Sequence, residues 1–182
     1  ETGGWFGWRP QNSGTRLNLN GVSAQSVHEA VVVGDSGIIL QTTNDGQQWM
    51  REQSGTVNNL RGVSFPSPLV GFVAGDSGIV LRTSDGGHSW SPLVSGVFER
   101  LNGVFFLNGS IGWTVGAEHI LHTSDGGLTW AIQDTNGRNN SVHFYDGQRG
   151  IVAKGNWFNT GAIRWTTDAG FTWALSATIS FP

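Results

Sequence analysis

The chain has 182 residues, a formal charge of −3 and no Cys. Glycine fills 28 positions, about twice the usual share, nine residues are Trp, and only 13% are charged. That balance excludes disulfides, zinc ribbons and thiol catalysis. It argues against disorder and lacks the clustered basic footprint of a nucleic-acid binder.

The chain opens Glu1-Thr2-Gly3 without Met, which fits either a removed signal peptide or an expression scar. Trp8-Arg9-Pro10-Gln11-Asn12-Ser13-Gly14-Thr15 matches the segment from Trp49 to Thr56. It therefore predicts an extra N-terminal outer strand over residues 5–15. The heptapeptide Gly34-Asp35-Ser36-Gly37-Ile38-Ile39-Leu40 recurs as Gly75-Asp76-Ser77-Gly78-Ile79-Val80-Leu81. A polar turn and a Trp follow each copy. In the second copy the turn reads Thr83-Ser84-Asp85-Gly86-Gly87-His88-Ser89-Trp90, and it returns before Trp130 and Trp173. From Trp49 the Trp recurs at spacings of 41, 40 and 43 residues. Each period holds short apolar stretches rich in Val, Ile and Phe between turn residues, which read as strands. In the second copy these fall at residues 60–65, 70–74, 79–83 and 90–94. Four strands in about 41 residues is the size of a propeller blade, and a blade needs neighbours to bury its faces. The expected fold is all-β, a β-propeller over residues 1–182. Its four complete repeats span residues 16–56, 57–97, 98–137 and 138–182. No run approaches the roughly 18 apolar residues of a membrane span.

The pattern Ser/Thr-x-Asp-x-Gly-x-Thr/Ser-Trp resembles the Asp-box, or BNR repeat, found in sialidases, sortilin-type receptors, some glucanases and photosystem II assembly factors. Asn44 and Gln48 depart from it in the first copy. The wider context, Leu-x-Gly-Val-x-Phe followed by Gly-x-x-x-Gly and the box, is most similar to the photosystem II assembly and stability factor group. The resemblance is specific for fold and weak for function. In that family an N-terminal outer strand completes the last blade. Here the last repeat already ends with its own outer strand, so the ring has one strand to spare. Three arrangements fit: a fragment of a larger propeller, a four-bladed ring with a free strand, or a strand donated to another chain. A partial propeller or an assembly between chains is favoured.

The box residues Asn44, Asp85, Asp125 and Asp168 read as turn closers accepting backbone N–H groups two residues on, with Gly46, Gly87, Gly127 and Gly170 at positive φ. Trp49, Trp90, Trp130 and Trp173 read as rings buried between blades, each N–H needing a partner. Sialidase chemistry would need three matched arginines and a placed Tyr nucleophile. The equivalents of Arg61 are Asn20, Asn102 and Asn140, and the single Tyr145 lies in a polar loop. Asp35 and Asp76, with Glu118 near them, are the carboxylates placed to line one rim for glycoside hydrolysis. A Gly-Asp-Ser-Gly turn accounts for both Asp residues. His119 and His122, three apart on a strand, face opposite ways, so no metal or cofactor is expected.

Departures between copies are the stronger functional signal. The fourth copy carries Trp157 and Phe158 in a polar hairpin, where loop aromatics are enriched at binding surfaces. Arg61, Asn20, Asn102 and Asn140 precede the innermost strands and would ring one mouth of the channel. Asn108 and Asn139 open two glycosylation sequons. The function expected is a non-enzymatic binding or scaffold module of a secreted or extracytoplasmic protein, with a protein or glycan partner. The alternatives are a carbohydrate-active protein, lectin or hydrolase, and a homo-oligomer built through edge strands.

Overall fold

The computed structural model describes residues 10–155 and 161–175. It holds four four-stranded antiparallel sheets, each a meander in chain order. The first comprises β1 (Leu19–Ala24), β2 (Ala30–Gly34), β3 (Ile39–Thr42) and β4 (Met50–Glu52). The second has β5 (Leu60–Ser64), β6 (Gly71–Gly75), β7 (Ile79–Thr83) and β8 (Ser91–Val94). The third has β9 (Leu101–Phe106), β10 (Gly112–Gly116), β11 (Ile120–Thr123) and β12 (Ala131–Asp134). The fourth has β13 (Asn139–Phe144), β14 (Gly150–Lys154), β15 (Ala162–Thr166) and β16 (Ala174–Leu175). In the second sheet these bounds lie within a residue of the sequence reading. The expected strand at residues 5–15 falls partly outside the described residues, and residues 10–15 pair with no strand among those described. They do repeat the turn of the first blade. Gly14 and Gly55 share φ +72°, and Ser13 and Ser54 each donate to the carbonyl two residues on.

Strands β1, β5, β9 and β13 pack side by side in succession, so they form the inner wall. A glycine column makes this approach close. A Cβ on Gly21 would lie 3.1 Å from the Arg61 carbonyl, one on Gly62 3.2 Å from the Val104 nitrogen, and one on Gly103 3.2 Å from the Ser141 Cα. The fourth blade carries the exposed Ser141 at this position.

Three cores fill the spaces between sheets, one per interface. Val31, Val33 and Ile39 meet Leu60, Val73, Leu81 and Trp90. Phe72, Ala74 and Val80 meet Leu101, Val104, Phe106 and Leu121. Trp113, Val115 and Ile120 meet Val142, Phe144 and Val152. Period-2 alternation produces this, because it gives each strand an apolar residue for both neighbours. Phe72 and Phe106 stack with centroids 3.4 Å apart, and Trp113 and Phe144 stack at 3.5 Å. The Asp-box Trp then meets the edge of its own blade's Phe: Phe65–Trp90, Phe106–Trp130 and Phe144–Trp173, each pair at 6.0 Å. A ring of this size contributes about 1.5–3 kcal/mol by burial.

One core position breaks the pattern. Leu40, Leu81 and Leu121 are matched by Arg164, each opposite the central residue of its neighbouring strand. Arg164 pairs with Asp134 of the third blade at 2.6 Å, with side chains only 6% and 12% exposed. The guanidinium also lies 5.9 Å from the Trp173 ring centre. Asp134 is held below the ordinary carboxylate range, chiefly by the hydrogen bond from Arg164.

Candidate binding surface

Every Asp-box turn is closed by its own side chains. In the second copy Thr83 donates its hydroxyl to Asp85 Oδ1 at 2.7 Å and accepts the Gly87 N–H at 3.0 Å. Asp85 also accepts the Ser89 N–H at 3.0 Å and the Ser89 hydroxyl at 2.6 Å. Asp125 with Thr129, and Asp168 with Thr172, repeat the arrangement. The carboxylates thus accept from the fourth residue on, where the sequence suggested the second. In the first copy Asn44 keeps the bonds to Thr42 and the Gln48 N–H. Gly46, Gly87, Gly127 and Gly170 all have positive φ, as expected. The preceding residue does too, including Asp45 at +60° and Ala169 at +61°, where a side chain is strained. Hydroxyl and N–H donors from Ser89 hold Asp85 far below its ordinary range. Those from Thr129 bring Asp125 down to about 2.

The box tryptophans differ in their polar ends. Trp90 Nε1 donates to the Gly87 carbonyl at 2.8 Å, and Trp49 Nε1 donates to Gln11 Oε1 at 3.4 Å. Trp130 and Trp173 bury Nε1 without a hydrogen bond. For these two rings the expected partner is not supplied.

At the mouth, the bulged residues of the first three inner strands brace the scaffold. Asn20 donates to Asp35 Oδ1 and, across the interface, to the Leu60 carbonyl, both at 2.9 Å. Asn102 donates to the Asn139 carbonyl at 2.8 Å. Arg61 grips Asp76 through Nε at 2.9 Å and Nη2 at 2.7 Å, and its Nη1 stands 3.8 Å from Asp35. Asn140 is exposed. Asp35 lies below the ordinary range because Asn20 and Asn18 donate to it, and Asp76 because Arg61 does. Both are ionised acceptors, so neither has the raised pKa of a general acid.

Trp157 and Phe158 lie outside the described residues. Beside them in sequence, Trp165 lines a hollow of about 290 Å³ with His143, Tyr145, Arg149 and Ile151. Tyr145 is 80% exposed, with the Arg149 guanidinium 5.3 Å from its ring centre. Ile151 and Trp165 hold the register positions of Trp113 and His122 in the third blade, so the repeat reads them as scaffold, which is why the sequence did not show the hollow. His119 and His122 do part company. His122 packs 5.0 Å from Trp113, and burial lowers its pKa. His119 Nδ1 lies 3.4 Å from Glu99 Oε1. The sequon reading needs a correction at Asn139, which is fully buried with its carbonyl held by Asn102. Asn108 lies in an exposed turn. Its Oδ1 accepts the Ser110 and Ile111 N–H groups.

The fold recurs among solved structures. A YCF48 bound to D1 peptide superposes with a TM-score of 0.75 at 18% identity, covering 92% of this chain and 55% of that one. YCF48 from Cyanidioschyzon merolae gives 0.70 at 17% identity, covering 88% and 56%. A GH74 xyloglucanase from Xanthomonas campestris gives 0.71 at 14%, covering 90% and 31%. The chain thus spans about half of the YCF48 structures, and its four sheets form a partial β-propeller. No curated protein matches it. The family model described as photosynthesis system II assembly factor YCF48 matches residues 52–180. By that match, over most of its length, the chain belongs to the YCF48 family of BNR-repeat proteins.

Proposed function

We propose that this chain is a non-enzymatic protein-binding module in a secreted or extracytoplasmic setting, using loops on the propeller rim. The observation that carries the reading is the state of the rim carboxylates. Asp35 and Asp76, the two that line one rim, both sit below the ordinary range, fixed by hydrogen bonds from Asn20 and Asn18 and from Arg61. They serve the scaffold as hydrogen-bond acceptors, and neither has the raised pKa that a general acid for glycoside hydrolysis needs. The YCF48 structure holding a peptide supports a protein partner. Contact is assigned to Arg61, Asn140, Trp157 and Phe158, with Arg61 Nη1 offering donors to a peptide carboxylate or carbonyl. Fluorescence titration with D1 peptide should show saturable binding, weakened at least tenfold by W157A/F158A and by R61A. Unchanged affinity in both variants would overturn the assignment.

A glycan-binding reading draws on the Tyr145–Trp165 hollow, since exposed aromatic faces also stack on sugar rings. A glycan array separates the two. Capture of an oligosaccharide, lost in W165A, together with no peptide binding, would favour it.

A further inference from the structure

The third blade departs from the first two at one corner. In those blades the turn between the second and third strands is tied to the linker before the inner strand by an Asn and an Asp. Asn18 donates to Asp35 at 2.7 Å, and Asn59 donates to Asp76 at 3.0 Å. In the third blade Gly116-Ala117-Glu118-His119 replaces Gly-Asp-Ser-Gly, and Phe98-Glu99-Arg100 replaces Val57-Asn58-Asn59. The Ala117 N–H still reaches the Arg100 carbonyl at 3.0 Å, so the backbone frame is kept. The side-chain tie is not. In its place stand Glu99, Glu118 and His119, with ligand atoms all within 4.8 Å of one another.

Two polar atoms in this corner are buried without a hydrogen bond, Glu99 Oε2 and His119 Nδ1. The Glu99 side chain is only 7% exposed and that of His119 only 20%. Leaving such groups unpaired is costly, more so for a charged one. Glu99 Oε1 accepts the His119 N–H at 3.0 Å, which pins the carboxylate beside the imidazole. His119 Nδ1 and Glu99 Oε1 are 3.4 Å apart. Ligands at about 2.0–2.2 Å around a tetrahedral zinc ion stand about 3.3–3.6 Å from one another. The spacing therefore suits two ligands sharing one small ion better than a direct hydrogen bond. Glu118, exposed at the surface, can swing in as the third.

We propose that Glu99, Glu118 and His119 form a zinc-type divalent metal site on the third blade, with water as the fourth ligand. An imidazole nitrogen with two carboxylates suits a borderline ion such as zinc better than calcium, which takes more oxygen ligands. The ion ties the linker to the turn, as the Asn–Asp pair does in the first two blades. The site also faces the fourth blade, because the His119 carbonyl lies 3.5 Å from Asn139 Nδ2. Glu118 and His119 line one hollow with Arg138 and Lys154, whose positive charge opposes any cation beyond the one these ligands hold.

The test is calorimetric titration of the chelator-treated chain with zinc chloride, with cobalt absorption reporting coordination geometry. One zinc per chain is expected, with tetrahedral cobalt bands and a rise in melting temperature. E99Q keeps the acceptor for the His119 N–H, so it should fold normally and bind at least about tenfold more weakly. H119Q should lose the cobalt bands. The surface pairs His28–Asp45 and His88–Glu52 are the competing sites, and the H28Q/H88Q double variant should bind as before. Absence of zinc binding, or binding lost in H28Q/H88Q and kept in E99Q and H119Q, would overturn the proposal and leave a Glu99–His119 ion pair.

Discussion

The fourth sheet meets different surroundings on its two faces. On one, Val142, Phe144 and Val152 pack against Trp113, Val115 and Ile120 of the third sheet. On the other, Ile151, Ile163 and Trp165 hold the same register positions as Trp113, Ile120 and His122. Trp113 and Ile120 are fully buried, while Ile151, Ile163 and Trp165 are 52%, 53% and 45% exposed. Strand pattern and pleat are alike on both sides. What differs is that, among the described residues, a neighbouring sheet covers only the first face. A blade is therefore half of each of two cores, and its apolar residues stabilise only where a partner sheet meets them.

The largest test of this contrast is at the covered face. Trp113 is buried, stacks on Phe144 and donates its Nε1 to the Ala169 carbonyl at 3.3 Å. W113A should lower unfolding free energy by about 3–5 kcal/mol in urea denaturation. A loss under about 1 kcal/mol would mean that the third and fourth blades are not coupled. A smaller effect tests whether the turns behave alike wherever they stand. Asp125 titrates at about 2 in the folded chain and near 3.8 when unfolded. The folded state therefore favours the ionised form. That contribution is complete above about pH 4 and disappears as pH falls through about 2. Melting temperature should drop across that window, and D125N should flatten part of the slope; matching slopes would contradict the assignment. The smallest effect belongs to the free face. I163S and W165S should each change stability by about 0.5 kcal/mol or less. A cost as large as that of W113A would show by light scattering and denaturation that this face is covered in solution.

Much of the fold could be read from the repeat, because each blade restates the same local rules. The Asp-box turn, the positive-φ glycines and the strands all follow from short-range chemistry copied along the chain. What joins blades was less visible. Nothing in the sequence told that Asn20 and Asn102 would reach across to Leu60 and Asn139, which places two candidate contact residues in the scaffold. The same neighbour buried Asn139 within a sequon. Glu99 and His119 are 20 residues apart and meet only because a linker folds over a turn. Arg164 is a charged residue at a core position, and Asp134 makes it tolerable there. Position within a repeat predicts surroundings well only while the copies keep the same residue type.

The glycine column along the inner wall fixes a curvature. Where Gly21, Gly62 and Gly103 face the following strand, hydrogen alone separates the two backbones. The outer strands stay as far apart as their side chains demand, so each step turns the chain through a wedge set by that difference. A methyl group on the inside would widen the narrow end of the wedge and reduce the angle per blade. The circle would then need more blades to close. Ser141 puts such a side chain on the fourth step, so a blade added there meets a shallower turn than the three before it.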